Sequence, residues 1–585
     1  MRYVEWWLEL RRWVVLCIPT AVMLMCRMLM GMTDLAFVGH LGTNELAAAS
    51  LVIVYASLVS SVVFQGGAKA ISSLCAMAYG AEDMDRFATL ARVGTLATFA
   101  SAIPLALSLW YCGAIMAAIA GASPEVESMV TLFSRPFIPV LLVRCIGACL
   151  NNFLLAQKVT APQLVGAAVG VVLNVVFNAW FISGFTGWPF GAPLPPRQPN
   201  ATATRTQRRG LGLIGSPLAT LLSSSVVLLI TFSSALLSGR FAMCSPLLRR
   251  RACRGKRIRF ASSVASAQLG GAAAALLETA ADAPRGDVRS DASDRRRSSA
   301  SSASSAAAAS PCARYSAAPL AVFAKQALPM AATAALEEAQ LQLIAVFAAR
   351  LGVVALGTHN AILEVVLVLT TLMWATGAAT RVRTAHHLGR GSVADAKRVA
   401  CIGVGVSGAL AVGIALVIYA LRHTIGRIFS SDDAVVTLAA KITEVMAPTY
   451  VVMAAFYSSM AVLTAQGRPT VIAIAFVLGG WGVSVPASYV FAYVWPRRDG
   501  AFARAFDVAP DATRPHGLGL IGLWIGLALG FVVIGVVSST AVLTSRWERI
   551  VKHVREDVVA TEGRSAQEAT PGAGERGATI TMTTS

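Results

Sequence analysis

Gly210-Leu-Gly-Leu-Ile-Gly215 recurs, letter for letter, as Gly517-Leu-Gly-Leu-Ile-Gly522, 307 residues further along. A single hexapeptide match is within chance, but other landmarks keep step with it. Pro19 and Pro329, and Leu41-Gly42 and Leu351-Gly352, stand 310 apart; Gly80 and Gly391 stand 311 apart; Gln157 and Gln466 stand 309 apart; Pro162 and Pro469 stand 307 apart. Six landmarks in one order at nearly one offset imply an internal duplication. The chain therefore reads as two equivalent lobes, with the cleft between them as the place for a ligand.

The lobes read as membrane-embedded. Hydrophobic residues make up 56% of the chain and charged ones 14%, where soluble domains carry about 25% charged residues. Runs long enough to cross a bilayer, which takes about 20 residues, lie at 14–38, 48–76, 93–112, 128–155, 163–183, 216–238, 319–346, 357–380, 399–421, 443–464, 471–494 and 517–544. They are continuous rather than alternating, which points to helices and not a barrel. The expected fold is thus an all-α polytopic membrane protein: twelve transmembrane helices in two six-helix bundles related by a pseudo-two-fold axis. Six spans per lobe is an even number, so the lobes share one orientation and the repeat is parallel. The expected organisation is an inner N-terminus at 1–13, a first lobe at 14–238, a basic inner linker at 239–318, a second lobe at 319–544 and an inner tail at 545–585.

Charge orients this arrangement. With both termini inside, the inner segments hold about 33 Lys and Arg and the outer ones about 12, or about 18 to 12 without the long linker, as the inside-positive rule requires. Asn200-Ala-Thr202, a glycosylation acceptor sequence, then falls outside. The net charge of +19 follows the same rule, so nucleic-acid binding is not indicated. Much of the surplus lies in the linker, from Arg249-Arg250-Arg251 to Arg295-Arg296-Arg297, followed by Ser- and Ala-rich low complexity at 298–310. Such composition buries no core; it reads as a solvated linker or, alternatively, as a contact for anionic lipid released by phosphorylation at Ser298 or Ser299.

The cysteines make neither a disulfide framework nor a zinc site: Cys17, Cys26, Cys75, Cys112, Cys145, Cys149 and Cys401 fall in spans, and Cys244, Cys253 and Cys312 in the linker. The start, Met1 to Trp13, is charged and aromatic, and the first apolar run is too long for a cleavable signal core. A Walker-type phosphate loop is missing from the sequence, and arginines do not recur every third residue as a voltage sensor needs. No cofactor and no enzymatic activity are expected.

A charge at bilayer depth costs about 2.5–3.5 kcal/mol on insertion scales, so each one needs a reason. The embedded acids are Asp34 in span 1, Glu337 and Glu338 in span 7, and Glu364 in span 8; Glu444 stands at the mouth of span 10. The embedded cations are Arg27, Lys69 and Arg144, while Arg135 is close enough to an end to snorkel. Glu337 lies too deep to reach water along the lipid face, so it faces protein or a wet cavity, as a proton carrier or as half of a structural ion pair. Glu338 is about 100° further round the helix and faces elsewhere. Asp34 reads either as functional or as a solvated acid at a helix end. Asn174 and Asn178 are one turn apart and face one way, to hydrogen-bond a neighbouring acid or to join helices. All seven histidines fall at span ends or in loops.

These residues resemble the multidrug and toxic compound extrusion (MATE) family. The similar stretches are Asp34-Leu-Ala-Phe-Val-Gly-His-Leu-Gly42 with Glu45-Leu-Ala-Ala-Ala-Ser50, then Ala78-Tyr-Gly-Ala81, Gln157 to Pro162 with Asn174, and in the second lobe Leu328-Pro329, Leu336-Glu337, Arg381-Val-Arg383 and His387-Leu-Gly389. The resemblance implies two six-helix bundles around a cavity that opens alternately to either side, exporting organic cations or other amphiphiles against protons or, in some branches, sodium. It implies a coupling acid at Asp34 supported by Asn174 and Asn178, as in bacterial and archaeal members, or at Glu337, as in eukaryotic ones. The chain departs from the eukaryotic pattern after the glutamate: Glu338 and Ala339 follow it, and Gln342 stands where a second acid is usual. Span 10, which carries an acid in many relatives, has none from Tyr450 to Met460.

The expected function is secondary antiport of organic cations, xenobiotics or metabolites, coupled to protons or, alternatively, to sodium. The candidate ion-coupling and substrate residues are Glu337, Asp34, Asn174, Asn178, Gln342, Glu338 and Glu364. A single copy is expected to work in the plasma membrane or in the membrane of an acidic organelle. The alternatives are a lipid or glycolipid flippase, with Arg27, Lys69 and Arg144 facing the cleft for a phosphate headgroup, and, from another class, a channel or a non-transporting receptor.

Overall fold

In hydrocarbon every backbone N–H and C=O must be paired within its own segment, and an apolar run satisfies this by becoming a helix. The protein does so twelve times in its computed structural model, which describes residues 2–120, 124–184, 211–241, 317–429, 433–495 and 517–552. The spanning helices are α1 (Tyr3–Gly39), α2 (Asn44–Gly80), α3 (Met84–Ala118), α4 (Pro124–Ala156), α5 (Ala161–Ile182) and α6 (Gly212–Leu237) in the first lobe. The second lobe has α7 (Pro319–Arg350), α8 (Val354–Gly389), α9 (Val393–Ala420), α10 (Val435–Ala465), α11 (Pro469–Val494) and α12 (Leu520–Leu543). No strand occurs among the described residues. Most of the basic linker and of the tail lies outside those residues, as do Asn200, Ser298, Ser299, Cys244, Cys253, Cys312, His516 and His553.

Several helices start well before their apolar runs. Capping decides this, not hydropathy: the Asp83 carboxylate accepts from the Arg86 backbone N–H at 2.9 Å, and the Ser392 hydroxyl accepts from that of Asp395 at 3.4 Å. The two caps stand 309 residues apart and open equivalent helices, α3 and α9. The stretch 1–13, expected as a separate terminus, is instead almost wholly part of α1. Trp13 ties it there, only 2% exposed and with its indole N–H donating to the Thr380 hydroxyl at 3.1 Å.

The duplicated hexapeptide does the same work in both lobes. Gly212 and Gly519 both adopt φ 60°, a left-handed conformation that glycine reaches without a Cβ penalty. Leu211 then donates its N–H to the Phe181 carbonyl at 2.6 Å, and Leu518 to the Phe491 carbonyl at 2.8 Å. A Cβ on Gly215 would come within 2.8 Å of the Phe181 backbone, and one on Gly522 within 2.6 Å of the Phe491 backbone. In each lobe, then, glycine lets the last helix start directly against the one before it.

The lobes are joined at the end where α1 begins, the end that the charge pattern assigns to the inner side. One apolar cluster draws on both of them, with Trp13, Ile71, Leu74 and Phe153 packed with Phe323, Ala375, Val382 and Val399. The outer half of the first lobe and the body of the second have their own cores, around Val52, Phe133 and Leu141 and around Phe456, Phe476 and Trp524. At the inner ends α2 and α8 cross so closely that a Cβ on Gly80 would strike the His386 carbonyl and one on Gly389 the Met77 carbonyl. Gly80 with Gly389, and Met77 with His386, are each 309 apart. The contact is reciprocal about the pseudo-two-fold axis.

Candidate functional site

Two polar centres lie within the membrane-spanning part, one inside the first lobe and one at the seam. In the first, Asp34 near the outer end of α1 is 7% exposed, and Asn174, Asn178 and Thr220 are wholly buried. Asp34 Oδ1 accepts from the Asn174 carboxamide at 2.9 Å and from that of Asn178 at 2.8 Å, while its Oδ2 accepts from the Thr220 hydroxyl at 2.6 Å. Asp34 is therefore not a solvated helix-end acid; helices α5 and α6 enclose it. The carboxamide oxygens of Asn174 and Asn178 find no partner among the described residues. The charge of Arg144 bears on Asp34, and Arg27 and Arg144 repel one another. Arg27 lies over the Phe64 ring at 5.8 Å and Arg144 over the Phe137 ring at 5.9 Å.

The second centre is built around Glu337, near mid-depth on α7. Its carboxylate is half-buried and accepts from the Tyr457 hydroxyl of α10 at 2.8 Å. It lines a narrow slot of about 20 Å³, room for about one water, together with Gln65, Lys69, Thr333, Met460 and Thr464. The slot brings α2 of the first lobe against α7, α10 and α11 of the second. Lys69 donates to the Gln65 side chain and lies 6.0 Å from the Trp374 ring centroid. Gln65 comes from a wide-turn stretch of α2, a π-helical segment at Val62–Ala68, and Lys69 follows directly after it. Such insertions re-aim side chains and often mark functional positions. A Cβ on Gly67 within it would clash with Thr98, and α7 passes with Ala331 against Gly66.

Glu338 faces away from the slot, as its position on the helix requires. It accepts from the Ser57 hydroxyl at 2.7 Å and from the Gln342 carboxamide at 3.3 Å. Gln342 thus serves its neighbour one turn back. Glu364 is half-buried on α8 and belongs to neither centre. Glu444 pairs with Arg422 at 3.4 Å. Of the three embedded cations offered as a headgroup site, Lys69 alone lines the slot; the Arg144 charge bears on Asp34, and Arg27 lies exposed over the Phe64 ring.

Sequence reasoning missed Thr220 and Tyr457. Threonine and tyrosine are ordinary in apolar helices, and both meet their acids across helices far away in the chain. The one available signal was position: Tyr457 stands in the stretch of span 10, Tyr450 to Met460, where the resemblance leads one to expect an acid. Also unforeseen was a buried ionic cluster closing the inner side. Glu9 of α1, 5% exposed, receives Arg383 and, at 2.8 Å, His387 of α8. In the α4–α5 connection, burial and then the Arg383 charge push the Lys158 ammonium down to about 8. Arg381 donates to the Ser72 hydroxyl at 3.2 Å, and Arg398 pairs with Glu5 at 2.7 Å. His359, His386 and His387 do lie at helix ends, yet all three are buried, and both ring nitrogens of His359 lack a partner among the described residues. Those residues contain no cluster of three metal-ligating side chains.

Comparison with known proteins gives concordant results. The family model MatE matches twice, over residues 19–180 and 329–490. Human Multidrug and toxin extrusion protein 1 is 21% identical over 92% of this chain and 76% of its own length. Protein DETOXIFICATION 41 of Arabidopsis thaliana is 26% identical over 31% of this chain, which spans about a third (36%) of that relative. The crystal structure of the eukaryotic MATE transporter AtDTX14 superposes with a TM-score of 0.69 at 17% identity, covering 94% of this chain and 99% of that one. A MOP-superfamily transporter from Pyrococcus furiosus gives 0.67 at 15% identity, covering 94% and 97%. At these identities the structural likeness concerns the fold.

Proposed function

We propose that this chain, which belongs to the MatE family of membrane transporters, is a proton-coupled antiporter that exports amphiphilic molecules bearing a cationic group. Glu337 is the group for which proton and substrate compete. The observation that carries the reading is a carboxylate near mid-membrane, on the slot between the lobes, held by a single hydroxyl and not by an ion pair within 4 Å among the described residues. An acid so placed has two uses at once: ionised it attracts a cationic substrate, and protonated it releases it.

The cycle follows from these parts. With the inner side closed, Glu337 takes a proton from the more acidic outer side and substrate leaves. The lobes rearrange, the inner contacts open, and the proton departs inward as new substrate binds the recharged carboxylate. One proton moving down one pH unit supplies about 1.4 kcal/mol, a tenfold accumulation. Tyr457 keeps the carboxylate pointed into the slot in both protonation states. The cycle suits a single copy in the plasma membrane or in an acidic organelle, where the lumen replaces the outside.

A second reading rests on the Asp34 centre, where a buried carboxylate and two unpartnered carboxamide oxygens converge. That donor set suits a proton or a sodium ion, although the nearby Arg144 charge opposes a metal cation. A flippase is less well supported, because of the three cations Lys69 alone lines the slot.

The test is efflux of cationic dyes from sealed proteoliposomes with an imposed pH gradient. Glu337→Gln, which keeps the shape and the contact with Tyr457, is expected to insert and fold but to lose pH-driven efflux. Normal efflux by that variant removes Glu337 from the mechanism. Retained proton-driven efflux in Glu337→Gln together with loss in Asp34→Asn, or sodium dependence in the wild type, selects the second reading.

A further inference from the structure

A second opening marks the seam between the lobes, at the end where α1 and α9 begin. An open-sided groove of about 470 Å³ lies there between Glu5 and Trp6 of α1, from the first lobe, and Ala394, Lys397, Arg398 and Cys401 of α9, from the second. Its volume is that of a small-molecule site, about 300–1,000 Å³. The four α9 residues follow one another at helical spacing and share one face. The same stripe runs on into the membrane as Gly405, Gly408 and Val412. A Cβ on either glycine would meet nothing within 4 Å, and Val412 is exposed, so the stripe is an open track. Tyr3, Trp6 and Trp7, all exposed, set the headgroup level beside it.

The polar end of the groove carries both signs. Arg398 reaches across the seam to Glu5 at 2.7 Å and along its own helix to Asp395 at 2.8 Å, which uses two of a guanidinium's five donors. Lys397 meets Glu548 at 3.3 Å, and both side chains are well exposed. Glu5 gives Oε2 to Arg398, and its Oε1 accepts no bond among the described residues. A headgroup that matches this end brings a phosphate for Lys397 and Arg398 and a hydrogen-bonding cation for Glu5. A glycerol headgroup brings the phosphate without the cation, and choline brings a cation with no hydrogen to donate. We propose that the groove is a binding site for phosphatidylethanolamine, its phosphate on Lys397 and Arg398, its ammonium on Glu5 and one acyl chain along the α9 stripe. A lipid held in this way bridges the lobes at their closed end and has to be parted from one of them when the inner side opens. The site lies apart from both acid centres, and its occupancy does not depend on which of them couples transport.

Native mass spectrometry of the delipidated full-length protein in detergent tests it, with dioleoyl phosphatidylethanolamine, phosphatidylglycerol and phosphatidylcholine added in equal amounts. Wild type is expected to retain one phosphatidylethanolamine per chain, about tenfold over either competitor, the worth of one hydrogen bond between charged groups. Glu5→Gln is expected to lose that preference, and Lys397→Met to weaken retention of phosphatidylethanolamine by about the same factor. Retention of none of the three, equal retention, preference for the glycerol or the choline headgroup, or phosphatidylethanolamine binding unchanged in Glu5→Gln or in Lys397→Met each overturns the proposal. The wild-type comparison decides even where the variants fail to fold.

Discussion

Two carboxylates inside one membrane protein ask for different explanations. Asp34 is enclosed, with three hydrogen bonds to two carboxamides and a hydroxyl; Glu337 is half-open, with one. Enclosure makes the Asp34 centre contribute to stability whatever else it does. Replacing Thr220 by Val leaves Oδ2 without its donor, and an orphaned buried acceptor costs about 1–3 kcal/mol. Thr220→Val is therefore expected to lower the melting temperature of the purified protein, and Thr220→Ser to retain it; identical melting of Thr220→Val and wild type would show that the hydroxyl is not holding Asp34. Part of this was legible in the residues, because Asn174 and Asn178 lie one turn apart and could be aimed together at an acid. That Asp34 is enclosed was not legible, since four residues from the end of an apolar run says nothing about what packs against it. The hydroxyls of Thr220 and Tyr457 were out of reach for the same reason, each coming from a helix whose register the chain alone does not reveal.

At the scale of elements, glycine and capping residues decide where helices start and how closely they cross. Apolar runs located all twelve spans, because the demand that hydrocarbon places on the backbone is local. The true starts of α1, α3, α9 and α10 were not visible in hydropathy. They depend on caps at Asp83 and Ser392 and on tertiary contacts such as Trp13 with Thr380. The crossing of α2 and α8 is the element on which inner closure depends. A Cβ on Gly389 collides with the carbonyl of Met77, which is backbone and cannot swing aside. Gly389→Ala is thus expected to part the inner ends. Spin labels at Asp85 and Arg390, in a background freed of reactive cysteines, should report longer and broader distances than in the wild-type protein. An unchanged distance distribution would show that the crossing does not hold the inner side shut.

Over the whole molecule the duplication explains both the symmetry and its limits. The paired hexapeptides, the paired caps and the reciprocal glycine contact repeat from one lobe to the other. The candidate coupling acids do not: Asp34 of the first lobe stands near the outer end of α1, and Glu337 of the second stands near mid-depth on α7. The seam is correspondingly uneven. Its inner part is shut by an apolar cluster and by Glu9, Arg383 and His387, while its central part is a narrow slot bearing Lys69 and Glu337. On the proposed mechanism such a molecule has one closure to open and Glu337 to recharge in each cycle. The proposed exchange of proton for substrate at Glu337 is testable without any gradient. Purified protein in weakly buffered detergent solution, mixed with a cationic substrate under conditions where Glu337 carries its proton, should release protons as the substrate binds. The release should approach one per molecule bound and vanish in Glu337→Gln. Substrate binding with no proton release, or equal release by Glu337→Gln, would contradict the account.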